Sequence, residues 1–307
     1  MMMEFEIVNV GQGNFNVLKL LHFNLFYDMG APVDTSESII ELNIIKNNED
    51  LFNNDFGVVI SHWDVDHYRL IISLDSLKKL DNIRFFIYPD DPPTTTSKKA
   101  LSIIQKYIGS EDLHPIPNIK DKIEASVVVK DIIERGDTPY AEFEDNFVLK
   151  LIDGQQSTMI SRNLDFISKH IFGCTADYYP KSIRLYHSAK RADRNKNSLL
   201  LSIKYSDNSY VFLTGDSYYR DINKYLFKWV GFADKVCFVV PHHGGRAGKF
   251  DLSYLTFNKG KAIISVGKDN RYKHPLPSNV GELESIFGNV NVKATTGLIG
   301  NITISLK

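Results

Sequence analysis

Five apolar runs in this sequence end the same way, in a loop that carries aspartate or histidine. "LFYDMG" closes on Asp28, "VVISHWDVDH" on His62, Asp64, Asp66 and His67, and "VFLTGD" on Asp216. "FVVPHHGG" delivers His242 and His243, and "IISVGKDNRYKHP" leads to His274. Short apolar runs rich in Val, Ile and Phe, punctuated by Gly and Pro, read as buried strands. Loops at strand ends are where a rigid framework presents chemical groups. Five of the nine histidines in the chain lie in these loops, so the strands carry the fold and the loops carry the chemistry.

The densest loop explains itself by alternation. In extended backbone, residues i, i+2 and i+4 share a face, which aims His62, Asp64 and Asp66 one way and Trp63 and Val65 into the interior. His67 then turns inward at the start of a helix that Asp66 can cap. Carboxylates and imidazoles gathered at one point repel or desolvate one another unless a cation sits among them. Two cations roughly 3.5–4 Å apart would use the whole set.

The remaining pattern places these loops. Strands are expected in the first thirty residues, a helix over 37–46, an amphipathic helix over 68–80, a strand at "IRFFIY" and a helix over 97–108. Further strands are read at 124–129 and 147–152. From residue 198 onward strands alternate with helices over 218–230, between the strands "KVCFVVP" and "KAIISVG", and over 278–287. No repeat, linker or low-complexity segment interrupts the 307 residues, so one domain spanning 1–307 is expected, an α/β fold of two packed sheets with helices outside.

Composition removes several alternatives. A net charge of -1 gives no whole-protein attraction to nucleic acid or membrane, so any charge effect is local. The N-terminus lacks the basic-then-apolar order of a secretory signal, and no run approaches the ~18 apolar residues of a membrane span. Of two cysteines, Cys237 lies inside the apolar "KVCFVV", which fits a buried thiol and a cytoplasmic setting. "GQG" precedes a strand instead of a helix, against a dinucleotide site, and no G-x-S-x-G elbow occurs.

Seven stretches, "VNVGQGN", "FYDMG", "SHWDVDH", "NKNSLLL", "LTGD", "PHHGG" and "SVGKDNRYKHP", run in order through residues 8–275. Together they resemble the metallo-β-lactamase fold, and within it the nuclease-like domain of ComEC-type DNA-uptake proteins. The resemblance implies an αββα sandwich, two divalent ions (Zn²⁺ or Mn²⁺) at one edge of the sheets, and hydrolysis by a metal-bound hydroxide. It implies that His62 and Asp64 serve the first ion, that Asp66, His67 and a late histidine serve the second, and that Asp216 bridges them. His274 is the expected late histidine, with His243 its competitor or a group beside a phosphate. Asp66 would hold the attacking water, and Asp66, Asp216 and His243 are the candidate catalytic residues.

The chain departs from that pattern in three places. Asp64 stands where many members carry His, which suits Mn²⁺ as well as Zn²⁺. Asn195 and Asn197 stand where a further ligand of the first ion is usual, so one ion is expected if that site is weak; His187 is near in sequence. Tyr68, Arg69 and Leu70 replace small residues, which is expected to narrow the site. Basic residues gather in 181–196, at Arg246 and Lys249, and at Lys268, Arg271 and Lys273. Such charge suits a phosphodiester substrate, nucleic acid or nucleotide. The expected activity is that of a metal-dependent phosphodiesterase or nuclease. The alternatives are hydrolysis of a small cyclic nucleotide or phosphoester, favoured by the narrowing, and a metal-stabilised binding subunit with little turnover, favoured by Asn195.

Overall fold

A computed structural model describes residues 3–89, 92–116, 141–144, 182–187, 198–268, 270–295 and 300–306. The strands expected at 124–129 and 147–152, and Asn195 and Asn197, lie outside the described residues.

The strands form two seven-stranded sheets. In the first, β1 (Glu4–Ile7), β2 (Asn16–Lys19) and β3 (Phe23–Tyr27) make an antiparallel meander, and β14 (Ile302–Ser305) returns to the free side of β1. β4 (Asp55–Val59), β5 (Ile83–Pro89) and β6 (Leu113–Ile116) then add in parallel beside β3. In the second, β7 (Ala141–Glu144), β8 (Ser182–His187), β9 (Leu199–Ser206) and β10 (Ser209–Leu213) pair antiparallel. β11 (Phe232–Val239), β12 (Thr256–Ile264) and β13 (Val292–Ala294) continue in parallel. Parallel neighbours need crossovers, and helices supply them except between β11 and β12, where the helix expected from the sequence is replaced by a loop with one 3-10 turn, Pro241–Gly244.

Alternation along the strands sorts the side chains. Phe5, Ile7, Leu18 and Tyr27 from the first sheet meet Leu199, Leu201, Ile203 and Val211 from the second in one buried core. The opposite face of the first sheet, with Val17, Phe26, Phe56 and Val58, packs beneath α1 (Glu37–Ile40), α2 (Val65–Tyr68), α3 (Leu70–Ser76) and α4 (Thr95–Ile104). The opposite face of the second, with Phe212, Phe238 and Ile264, packs beneath α5 (Tyr219–Ile222), α6 (Lys228–Val230) and α7 (Pro277–Phe287). Helix, sheet, sheet, helix is the αββα sandwich.

Local details differ from the sequence reading. The helix expected over 37–46 is only one turn of α, followed by a π turn over Glu41–Ile45 and a 3-10 segment over Lys46–Phe52. Asn48 breaks the geometry there, with φ -129 and ψ 29, and its side chain bonds the carbonyl of Ile44 instead. The expected helix over 68–80 begins earlier, at Val65, and is divided at Arg69. No helix among the described residues is long and apolar enough to cross a membrane.

Candidate metal centre

The site grows from the ends of β3, β4, β10 and β11. β4 runs out at Val59, and the chain stays extended only as far as Asp64, whose φ of -91 and ψ of 144 make it the N-cap position of α2. The alternation expected through Asp66 therefore stops at Asp64, and the cap position falls to Asp64 instead of Asp66. Asp66 and His67 lie in the first turn of α2, where helical twist swings them toward the second sheet. Trp63 is buried as expected, its indole N–H bonded to the carbonyl of Pro89 at 2.6 Å.

A buried carboxylate sets the ring orientations. Asp28, with a φ of 61, is fully buried and accepts from the backbone N–H of Ser61 at 2.6 Å and from the Asn14 amide at 2.8 Å. Its Oδ2 also stands 2.8 Å from Nδ1 of His67 and 2.9 Å from the Ser61 hydroxyl. An acceptor-only carboxylate places the proton of His67 on Nδ1, which leaves the lone pair on Nε2. The Ser61 hydroxyl gives its proton to Asp28, so toward Nδ1 of His62, 3.0 Å away, it can only accept. That fixes the Nε2 lone pair of His62 as well. Nδ1 of His243 donates to the carbonyl of Ser265 at 2.7 Å, and Nδ1 of His242 to that of Arg246 at 3.0 Å. Once neutral, as metal binding requires, the four imidazoles thus present Nε2 lone pairs.

Those atoms converge on three carboxylates, those of Asp64, Asp66 and Asp216. His67 Nε2 is 3.3 Å from Asp216 Oδ1, and both His62 Nε2 and His242 Nε2 are 3.8 Å from Asp216 Oδ2. His62 Nε2 is also 3.8 Å from Asp64, and His243 Nε2 is 3.4 Å from Asp66. Among the described residues two groups could hold an ion: His62, His67 and Asp216, and Asp66, His67 and His243. Nε2 of His62, His67 and His243 and Oδ1 of Asp216 are buried without a hydrogen-bond partner. Buried polar atoms left this way are costly, and divalent ions divided between the two groups would satisfy all four. Imidazole with carboxylate suits Zn²⁺ and Mn²⁺ alike.

Electrostatics describe the same cluster. Burial disfavours the charged imidazole of His67, but Asp28 and Asp216 outweigh it and hold its pKa well above the ordinary value. Burial likewise opposes ionisation of Asp66, yet His243 and His67 bring it to about 2. Asp216 falls well below the carboxylate range, because surrounding imidazoles, His67 first, overcome its desolvation. Proton and metal compete for these groups.

His243 enters a donor group and His274 does not. His274 lies one layer out, its ring 5.3 Å from that of His242 and 5.7 Å from Tyr272, and burial pushes its pKa down to about 4. Asp64 is partly exposed and touches the site only through His62. The side chain of His187 is not among those described. Tyr68 and Leu70, expected to narrow the site, are fully buried in the core beneath the first sheet, with Tyr68 against Trp63 at 5.5 Å. Arg69 turns away to the carbonyls of Pro32, Val33 and Thr35. Helical geometry after Val65 sends all three away from the strand ends, so the site is not narrowed by them. Sequence reasoning gives Asp28 no role in the site; "FYDMG" marks the loop, but its four buried partners are visible only in three dimensions.

Comparison with known proteins agrees with this architecture. The metallo-β-lactamase fold protein YhfI from Bacillus subtilis matches with a TM-score of 0.50 at 12% identity, covering 99% of this chain and 100% of that one. The diiron β-hydroxylase CmlA from Streptomyces venezuelae matches at 0.46 and 10%, covering 99% of this chain and 54% of that one. The short form of human tRNase Z matches at 0.41 and 11%, covering 99% and 100%. No family model matches the sequence, and no curated protein matches it. The chain has the metallo-β-lactamase fold, with a His/Asp cluster at the strand ends that could bind metal.

Proposed function

We propose that this chain, as one domain over 1–307, is a metal-dependent phosphodiesterase acting on nucleic acid or nucleotides, of the kind its ComEC-type resemblance implies. The observation that carries the reading is the set of buried, unpartnered donors shared between His62, His67, Asp216 and His243. Divalent ions, when bound there, acidify a coordinated water to a pKa near about 7 and neutralise phosphoryl charge. The chain's own residues do the rest. Asp28 and Ser61 hold the imidazole tautomers. Asp216 presents its two oxygens to different imidazoles, as a bridging carboxylate does. Asp66, mostly buried beside His243, would orient the water, and His243 lies where it could steady departing charge. Exposed Arg246, Lys249, Lys268 and Lys273 follow β11 and β12, the strands that deliver the histidines, and would pair with phosphates along a substrate.

Tyr68 sits in the core, so narrowing of the site no longer favours a small cyclic substrate. The test is hydrolysis of single- and double-stranded nucleic acids, cyclic nucleotides and a chromogenic phosphodiester with Mn²⁺ or Zn²⁺. Turnover is expected to be abolished by chelator and by Asp66→Ala with His67→Ala. A metal-loaded protein inert on every one of these points instead to the binding-subunit reading.

A further inference from the structure

The donors of the cluster do not divide evenly. His67 belongs to both groups that can hold an ion, yet its Nε2 has one lone pair and can serve one ion. If it joins Asp66 and His243, with Asp216 Oδ1 at 3.3 Å, the second ion is complete. The first ion then keeps His62, Asp216 Oδ2 and, through its contact with His62, Asp64. One of these is a partly exposed carboxylate, and the place of the usual further ligand holds Asn195 and Asn197.

We infer that His242 supplies the missing donor of the first ion. The inference rests on the metal-centre reading above and deepens it. His242 Nε2 stands 3.8 Å from Asp216 Oδ2, the same separation that His62 Nε2 keeps from that oxygen. Donors about 2.0–2.2 Å from a tetrahedral ion stand about 3.4 Å apart, so each imidazole lies close to bonding distance of an ion on Asp216, while His62 and His242, which share no donor group as they stand, must also draw toward each other around it. The Nδ1 proton of His242 is already committed to the carbonyl of Arg246, at 3.0 Å. An imidazole whose far nitrogen donates to a backbone carbonyl has the outer partner usual for a metal ligand. The turn itself aims it: His242 and His243 both have φ of 53, and the consecutive side chains reach different carboxylates, Asp216 and Asp66. Gly245 completes the turn, because a Cβ there would lie 2.3 Å from Nε2 of His274, whose ring flanks His242. The doubled histidine of "PHHGG" then has a reason: one imidazole for each ion.

The experiment is Co²⁺ titration of the metal-free full chain, read by equilibrium dialysis with elemental analysis and by visible absorption. Variants are His242→Asn, which tolerates positive φ and ligates poorly, His242→Cys, which offers a thiolate, and His243→Asn. Wild type is expected to bind two ions. His242→Asn should keep one at wild-type affinity and weaken the other beyond the roughly 100-fold that loss of an outer partner costs. His243→Asn should weaken the opposite one. His242→Cys should restore the second ion and add a thiolate-to-cobalt charge-transfer band absent from wild type. Two ions at unchanged affinity in His242→Asn, or no such band in His242→Cys, overturn the inference while leaving the metal centre standing. A wild type that binds a single ion also overturns it, since the donor count then needs no fourth imidazole. A wild type that binds none overturns the metal-centre reading itself.

Discussion

At the scale of single residues, position in the fold decides which polar groups count. "SHWDVDH" announces its chemistry because four metal-ligating side chains within six residues rarely share a loop for structural reasons alone. Asp28 does not, since a lone aspartate after a strand is common and its value comes from Asn14, Ser61 and His67, none adjacent to it in sequence. Asp28→Asn keeps the volume but offers Nδ1 of His67 an amide that can present N–H where only an acceptor fits. Metal affinity is expected to fall 10–100-fold, measured by competition with a chromophoric chelator. The late histidine separates sequence from structure in the same way. Order along the chain favours His274, but His243 reaches Asp66 at 3.4 Å while His274 packs on Tyr272. His243→Ala should therefore lose more metal than His274→Ala in elemental analysis, and the reverse order would restore His274 to the site.

Elements are legible where periodicity is clean and illegible where backbone geometry bends to the site. The strands from β1 to β5 and from β9 to β12 follow apolar runs that alternation and punctuation set out. The stretch over 37–46 reads as one helix because its Ile and Leu spacing is helical; only the side-chain bond of Asn48 to the Ile44 carbonyl shows why it unwinds. The loops before β2 and after β3 meet the turn into α2 almost in contact, tied by Asn14 N–H to the Asp66 carbonyl at 3.0 Å and Met29 N–H to the His67 carbonyl at 2.7 Å. Gly30 permits the crossing: a Cβ there would lie 1.8 Å from the Asp66 carbonyl oxygen and 2.6 Å from the Asn14 nitrogen. Backbone cannot yield as a side chain does, so Gly30→Ala is expected to cost at least about 2–3 kcal/mol in denaturant unfolding and to disorder Asp66 and His67. Gly281, inside α7 with nothing within 4 Å of its would-be Cβ, gives the opposite expectation: Gly281→Ala should stabilise by roughly 0.5–1 kcal/mol. Equal effects from the two substitutions would mean that the crossing at Gly30 is looser than its geometry.

At the scale of the whole molecule, the centre joins the two sheets. His62, Asp66 and His67 come from the first sheet, and Asp216, His242 and His243 from the second, so an ion held among them ties strand ends that otherwise meet through the shared core and loop contacts such as the Leu199 N–H to the Ser61 carbonyl. Metal at 100 times its Kd should raise stability by about 2.7 kcal/mol per ion, read as a rise in Tm that chelator reverses. Without metal, Asp216 still has work to do. A cluster of carboxylates alone would relax when one is neutralised, but Asp216 faces the imidazole of His67, whose charged form Asp28 and Asp216 favour, so its charge attracts more than it repels. Its folded pKa is depressed, so its contribution is present above about 3.9, the unfolded value, and is lost as pH falls through the folded one. The pKa of His67 is raised, so its contribution is complete below about 6.5 and is lost as pH rises through the folded value. The pair therefore stabilises the metal-free protein most between roughly pH 4 and 6.5. Asp216→Asn should lower metal-free stability by roughly 1–3 kcal/mol in that window and by less above it, and should remove the metal-dependent rise altogether. A metal-free Asp216→Asn protein that melts at or above the wild-type temperature at pH 5–6 would show that carboxylate repulsion governs the cluster, and that His67 is neutral before any ion arrives.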